Sequence, residues 1–325
     1  MVAGGYHGVT PYRVIAQHRK MSVLRFCGSA RCFAKPVLCI PALISRSYIL
    51  DLYQGGSLVA ALAGAGHDVY LLDWGVIGDE DAGLGLQEVA IDYISRAIAA
   101  VQKVSGCAQR TLLGYCMGGT LATLWSAACG GAKRDNLIAL AAPFDFQTAG
   151  LLAHWCREKY LDIERITDVF GNVPAHIVET VFTLLRPTAR FRAALAFSRN
   201  YNEEPARQAF TAMDRWVNDW VPFPGAAARD WIQWFYQRNG LAERSIALNG
   251  RAVDVGKIRS AVCVVAALGD AIVPAESSRP LRYAVASKDV TYFEVGGGHI
   301  GMVAGRASSG DLFPKLLAWL ETRST

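Results

Sequence analysis

Charge is scarce in this chain. Asp, Glu, Lys and Arg together supply 19% of its 325 residues, against about 25% in ordinary soluble domains. Hydrophobic residues make up 52%, which excludes intrinsic disorder, because a chain stays unfolded only when apolar content is low and net charge is high. The charges nearly balance: 33 basic against 28 acidic side chains leave +5. A nucleic-acid footprint needs a denser basic face, so a small anionic ligand or an acidic surface is the expected partner. An export signal is also missing, since Tyr12-Arg13, His18-Arg19-Lys20 and Arg25 interrupt any apolar core within the first thirty residues. The expectation is a cytoplasmic protein with reduced thiols. Of the 8 cysteines, Cys27 and Cys32 form one near pair, but no second Cys or His pair stands at finger spacing, so no metal is expected. The 31 glycines follow no three-residue period, which excludes collagen. The longest charge-free run, residues 111–132, is interrupted by Gly114, Gly118, Gly119, Thr120, Thr123 and Ser126. It reads as a buried strand, a sharp turn and a buried helix rather than a membrane span.

What is present is a rhythm. Segments 37–40, 68–74, 111–114, 137–142, 261–268 and 290–295 read as strands, and 58–65, 86–104, 117–129 and 312–320 as helices. Apolar strands with few polar breaks, alternating with helices, predict a mostly parallel sheet with helices on both faces. Residues 1–146 and 258–325 form that α/β core. Residues 147–257 break the rhythm with mainly helical patterning and hold Trp155, Trp216, Trp220, Trp231 and Trp234. They read as an inserted helical cap over the C-terminal edge of the sheet, where open α/β sheets bind ligands. The tryptophans are expected mainly to fill the cap's own core. The segment holding His7 and His18 is expected to be loosely ordered.

The sharpest chemical signal is L-L-G-Y-C-M-G-G-T at residues 112–120, between a strand and a helix. It matches the nucleophile elbow G-x-S-x-G with Cys116 in place of serine. Gly114 and Gly118 stand where a side chain would clash on such a turn, and the helix N-terminus adds partial positive charge beside the sulfur. A nucleophile needs a base, and the base needs an orienting carboxylate. On this type of sheet they follow in the order nucleophile, acid, His. Asp270 in L-G-D-A-I-V-P and His299 in G-G-G-H-I-G each lie just past a strand, in that order. An oxyanion hole needs two backbone donors. The N–H of Met117 is one, and Leu43 or Ile44 in the loop after strand 37–40 is the other. Among remaining candidates, His154 and His176 could line a pocket, Asp73 and Asp145 lie near strand ends, and Asp145 suits a helix cap. Arg186, Arg190, Arg192 and Arg199 form a basic stretch that either meets the phosphates of an anionic carrier such as coenzyme A or is a solvated face.

With these residues in place, the chain resembles the catalytic subunit of class III polyhydroxyalkanoate synthases, members of the α/β-hydrolase superfamily. The likeness runs from about Pro36 to Leu320. It includes P-V-L-C-I-P-A-L-I-S-R-S-Y-I-L-D-L, D-V-Y-L-L-D-W-G, L-L-G-Y-C-M-G-G, G-N-V-P, M-D-R-W, F-Y-Q-R-N-G-L, A-L-G-D-A-I-V-P and G-G-G-H-I-G. Met117 departs from the family, which usually has Gln there. The resemblance implies a polymerase of (R)-3-hydroxyacyl-coenzyme A, most readily 3-hydroxybutyryl-coenzyme A, that releases coenzyme A and needs no cofactor. Cys116 would carry the acyl chain, His299 would act as base, and Asp270 would assist His299 and the substrate hydroxyl. It further implies a growing polyester chain, a location at the surface of cytoplasmic polyester granules, a homodimer and a second, noncatalytic subunit. A Cys-dependent ester or thioester hydrolase of the same fold is the alternative.

Overall fold

The computed structural model describes residues 5–26, 28, 31–130, 134–248, 250–305 and 308–324, and of residues 189, 190, 192, 196 and 251 the backbone alone. Cys27 thus lies outside the described residues. The strands are β1 (Tyr12–His18), β2 (Met21–Phe26), β3 (Val37–Ile40), β4 (Val69–Asp73), β5 (Thr111–Tyr115), β6 (Asn136–Leu140), the short ribbon β7 (Ala247–Leu248) and β8 (Arg251–Ala252), β9 (Ala261–Ala267) and β10 (Val290–Val295). Eight of them make one sheet in the order β1-β2-β4-β3-β5-β6-β9-β10. Pairing is antiparallel from β1 to β4 and parallel from β4 to β10.

The two-residue period of a strand sends alternate side chains to opposite faces, and β3 shows the consequence. Leu38 and Ile40 enter one apolar cluster, whereas Val37 and Cys39 enter the other. All four are buried. Burying such an aliphatic side chain is worth about 1.5–3 kcal/mol, so a strand with no polar residue belongs at the centre of the sheet. On the first cluster lie α2 (Ile94–Ser105), which continues a π-helical turn over Glu88–Tyr93, and α3 (Met117–Cys129). On the second lie α1 (Leu58–Gly64) and the last helix, α13 (Leu312–Glu321).

Between β6 and β9 the described residues add no strand to this sheet. It forms α4 (Gly150–Trp155), α5 (Ile163–Phe170), α6 (Ala175–Leu185), α7 (Ala189–Arg199), α8 (Glu204–Val217) and α9 (Gly225–Asp230). Short helices α10 (Ala275–Ser278), α11 (Leu281–Ala284) and α12 (Gly301–Ala304) follow the last strands.

The N-terminal expectation is corrected. His18 ends β1, a strand in register with β2, and its ring meets Tyr93 edge-on at 5.3 Å. His7 meets the Tyr48 ring at 5.6 Å. β1 is an edge strand, half exposed, so its polar residues face water and its hydrophobic alternation is too weak to read. Its order comes from the ladder with β2 rather than from burial.

Candidate functional site

β5 ends at Tyr115 and α3 begins at Met117, so Cys116 alone carries the turn. Its φ of 56° and ψ of −127° are unfavourable for a residue with a Cβ, a strain of about 1–3 kcal/mol. Hydrogen bonds hold it there: the Cys116 N–H donates to Leu140 O, and Cys116 O accepts from the Gly119 N–H, both at 2.9 Å. Gly118 has no alternative, because a Cβ there would stand 1.9 Å from Ile40 O. The end of β3 and the start of α3 therefore meet backbone to backbone.

That contact brings together the groups expected around an oxyanion. Met117 is the first residue of α3, and N–H groups in a helix's first turn have no acceptor inside the helix. Its side chain is buried and lines a cavity beside Cys116. In the loop after β3, the Leu43 side chain packs into the core, whereas Ile44 faces Cys116.

Asp270 lies three residues past the end of β9. Its Oδ1 accepts the N–H groups of Ile272 and Val273, each at 2.8 Å. Its Oδ2 lies 2.6 Å from His299 Nδ1. The His299 loop follows β10 and turns at Gly297, whose φ is 93°. The hydroxyl of Tyr115 donates to His299 O at 3.1 Å, with the two rings 5.2 Å apart. Asp270 and His299 are both buried. Burial disfavours an imidazolium, but the Asp270 carboxylate, the Cys116 sulfur and hydrogen bonds to both outweigh it and raise His299 to about 10. His299, held by Asp270, thus lines the same cavity as Cys116, although the three residues come from distant parts of the chain.

Cys116 lines two cavities. One, of ≈ 180 Å³, is bounded by Ser45, Arg186, Trp216, Trp220 and His299. The other, of ≈ 160 Å³, is almost wholly apolar, with Met117, Cys156, Val178, Trp231 and Tyr236 in its wall. Ile44, Phe182 and Ile272 line both beside Cys116. A sulfur at the junction of two largely apolar cavities can accept an acyl group on one side and present it on the other. The Cys156 thiol is pushed up to about 12 by burial, which leaves it part of the wall.

Several expectations change. Trp216, Trp220 and Trp231 line cavities at Cys116 rather than only filling a separate core. Arg186 belongs to the site, because a Cβ on Gly298 would meet its Nη1 at 2.6 Å. The side chains of Arg190 and Arg192 lie outside the described residues. Neither His154 nor His176 lines either cavity. Asp145 Oδ1 caps the turn Phe146–Thr148 by accepting the Gln147 N–H, and Asp73 accepts from Ser47 Oγ at 2.7 Å. Sequence reasoning missed Tyr115, Phe182 and Ile272. Tyr115 and Ile272 lie inside the two motifs and could have been drawn from them; nothing in α6 distinguishes Phe182 from its apolar neighbours.

Residues 35–305 match the model of the alpha/beta hydrolase fold family. The poly(3-hydroxyalkanoate) polymerase subunit PhaC of Haloferax mediterranei is 33% identical over 98% of this chain and 65% of its own length. The subunit of the same name from Allochromatium vinosum is 30% identical over 97% of this chain and 90% of its own. The chain therefore spans about two thirds of the first relative and nine tenths of the second. Among solved structures, a putative lipase from Sulfolobus solfataricus superposes with a TM-score of 0.59 at 14% identity, covering 96% of this chain and 93% of that one, a likeness of fold alone.

Proposed function

From the premise that this chain belongs to the poly(3-hydroxyalkanoate) polymerase family and has its α/β-hydrolase fold, we propose that Cys116 is the acyl carrier of a polyester-forming acyl transfer. In the first half-reaction, His299 takes the Cys116 proton and the sulfur attacks the thioester carbonyl of (R)-3-hydroxyacyl-coenzyme A. The negative charge on the carbonyl oxygen is met by the Met117 N–H and by an N–H of the Leu43–Ile44 segment. The tetrahedral species collapses, and coenzyme A leaves as a thiol with the proton from His299. In the second half-reaction, His299 accepts the proton of a 3-hydroxyl, whose oxygen attacks the acyl–Cys116 thioester; the C–S bond breaks, an ester forms, and the Cys116 sulfur leaves as a thiol with the proton from His299. Asp270 holds the ring in one tautomer, stabilises its positive charge and assists the hydroxyl.

The observation that supports this reading is the Asp270–His299 pair at a cavity that Cys116 also lines, beside a second, apolar cavity. A polymerase has to let a hydroxyl reach the acyl-enzyme while water stays out. In this proposal residues 147–257 are the cap that keeps it dry. The raised imidazole suits a base that takes a proton from its neighbour. No resident cofactor takes part. A homodimer, a second noncatalytic subunit and residence on cytoplasmic polyester granules belong to the same proposal; among the described residues no helix is long and apolar enough to cross a membrane.

The test supplies (R)-3-hydroxybutyryl-coenzyme A and follows free thiol and product. Insoluble polyester with coenzyme A release is the expected result. Soluble 3-hydroxybutyrate alone would favour the hydrolase. Cys116→Ala should abolish release while the fold survives; substantial remaining turnover refutes the assignment.

A further inference from the structure

The loop that follows β3 does not stand alone. Ser45 forms an antiparallel bridge with Trp220. The indole N–H of Trp216 donates to Arg46 O at 2.9 Å. The Arg46 guanidinium, itself buried, lies 3.5 Å from Asp219 Oδ2, and the same oxygen accepts the Tyr48 hydroxyl at 2.9 Å. Four contacts thus tie residues 45–48 of the core to residues 216–220, at the end of α8. Asp219 stands at the middle, because one carboxylate oxygen receives both a cation and a phenol. Burial and the Asp219 hydrogen bond both raise the Tyr48 hydroxyl, so the phenol stays protonated and the bond keeps its donor.

The neighbouring residues give the tie its meaning. Ile44 and Ser45 line the cavity at Cys116 together with Trp216 and Trp220, so one cavity wall is shared between the two segments. The peptide between Leu43 and Ile44 lies directly before the anchored residues. We infer that Asp219 is a positioning residue: through Arg46 and Tyr48 it fixes the loop whose N–H completes the oxyanion site. The inference rests on the function proposed above and adds a dependence of that site on a carboxylate outside the sheet. Catalytic power is then coupled to the seating of α8. An oxyanion donor acts only when held in place before charge develops, and among the described residues the loop's strand pairing beyond Ile40 is the bridge from Ser45 to Trp220.

Asp219→Ala and Asp219→Asn test it, with three readouts on the full chain. The first is kcat and KM for coenzyme A release. The second is inhibition by butanal, whose carbonyl carbon takes the Cys116 sulfur while its oxygen takes the thiol proton, so that affinity reports the oxyanion site. The third is the rate at which iodoacetamide alkylates Cys116, followed on the peptide that contains it; this step has no oxyanion. Removing a donor outright costs about 10²–10³ in rate, so loosening one should lower kcat by about tenfold. The expected pattern for Asp219→Ala is that fall in kcat with KM little changed, a matching loss of butanal affinity, and unchanged alkylation. Asp219→Asn should lie between, because its amide oxygen can still accept from Tyr48. Unchanged kcat and butanal affinity would overturn the inference. So would equal losses in all three readouts, which would make Asp219 a general structural residue. Should the alanine variant fail to fold, Tyr48→Phe removes one donor and must give the same split. If Cys116→Ala retains turnover, the acyl-carrier reading fails first, and that result differs from any outcome at Asp219.

Discussion

Gly118→Ala adds one methyl group to the elbow, and the geometry sets its cost. The new Cβ would lie 1.9 Å from Ile40 O and 2.6 Å from Pro41 O. Both are backbone atoms, so no side chain can rotate away. Reaching an ordinary C···O separation needs a displacement of roughly 1.5 Å. β3 cannot give freely, since Ile40 is wholly buried and β3 is hydrogen-bonded to β4 and β5 on its two sides. The helix start must move instead, carrying Cys116 and the Met117 N–H with it. Overpacking of this kind destabilises by about 1–3 kcal/mol. A misplacement near 1 Å at the reacting centre costs about 10²-fold in rate. Gly64→Ala is the contrast, because Gly64 is in α1 and an added Cβ meets nothing within 4 Å; it should gain about 0.5–1 kcal/mol. Urea melts give the stability of each variant, and thiol release from (R)-3-hydroxybutyryl-coenzyme A gives the rate. Wild-type stability and near wild-type turnover in Gly118→Ala would refute the close-approach reasoning.

Further expectations concern the Asp270–His299 pair, Tyr115 and a buried histidine. Asp270→Asn leaves an oxygen for the Ile272 and Val273 N–H groups but loses the carboxylate facing His299; turnover should fall by roughly 10³–10⁴, with elongation hit harder than first acylation, and pre-steady-state thiol release showing equal loss in both steps would contradict it. Tyr115→Phe removes the bond to His299 O and should cost about 1 kcal/mol in stability, measured by thermal melting; no change there would mean the bond holds nothing. His67 is buried against Phe33, and burial lowers it from 6.5 to about 4. Its neutral form is the folded one, so its contribution is fully present above pH 6.5 and is lost as pH falls toward 4. The loss amounts to about 3 kcal/mol, and His67→Phe should flatten that part of the stability–pH curve. An unchanged acid limb would place the titration elsewhere.

The residues of the candidate site could be picked out in the sequence because each is tied to a local backbone demand. Cys116 sits among glycines that only a strand-to-helix turn requires, and Asp270 and His299 each follow an apolar strand directly. Strand 37–40 was legible for a similar reason, since a central strand buried on both faces carries no polar interruption. β1 was not, because an edge strand in contact with water owes its order to the neighbour it pairs with, and pairing leaves little trace in composition. The tryptophans were read as filling because helical spacing shows which face of a helix is apolar but not what covers it. Period and composition therefore determined the parallel strands, the helices beside them and the order of Cys116, Asp270 and His299 along the chain, since these depend on neighbours in the chain. Which side chains wall the two cavities, which carboxylate holds the loop after β3, and how far the surroundings raise His299 were decided only by folding. Those properties arise from through-space distances between residues such as 46 and 219, and such distances exist only once the chain has closed around them.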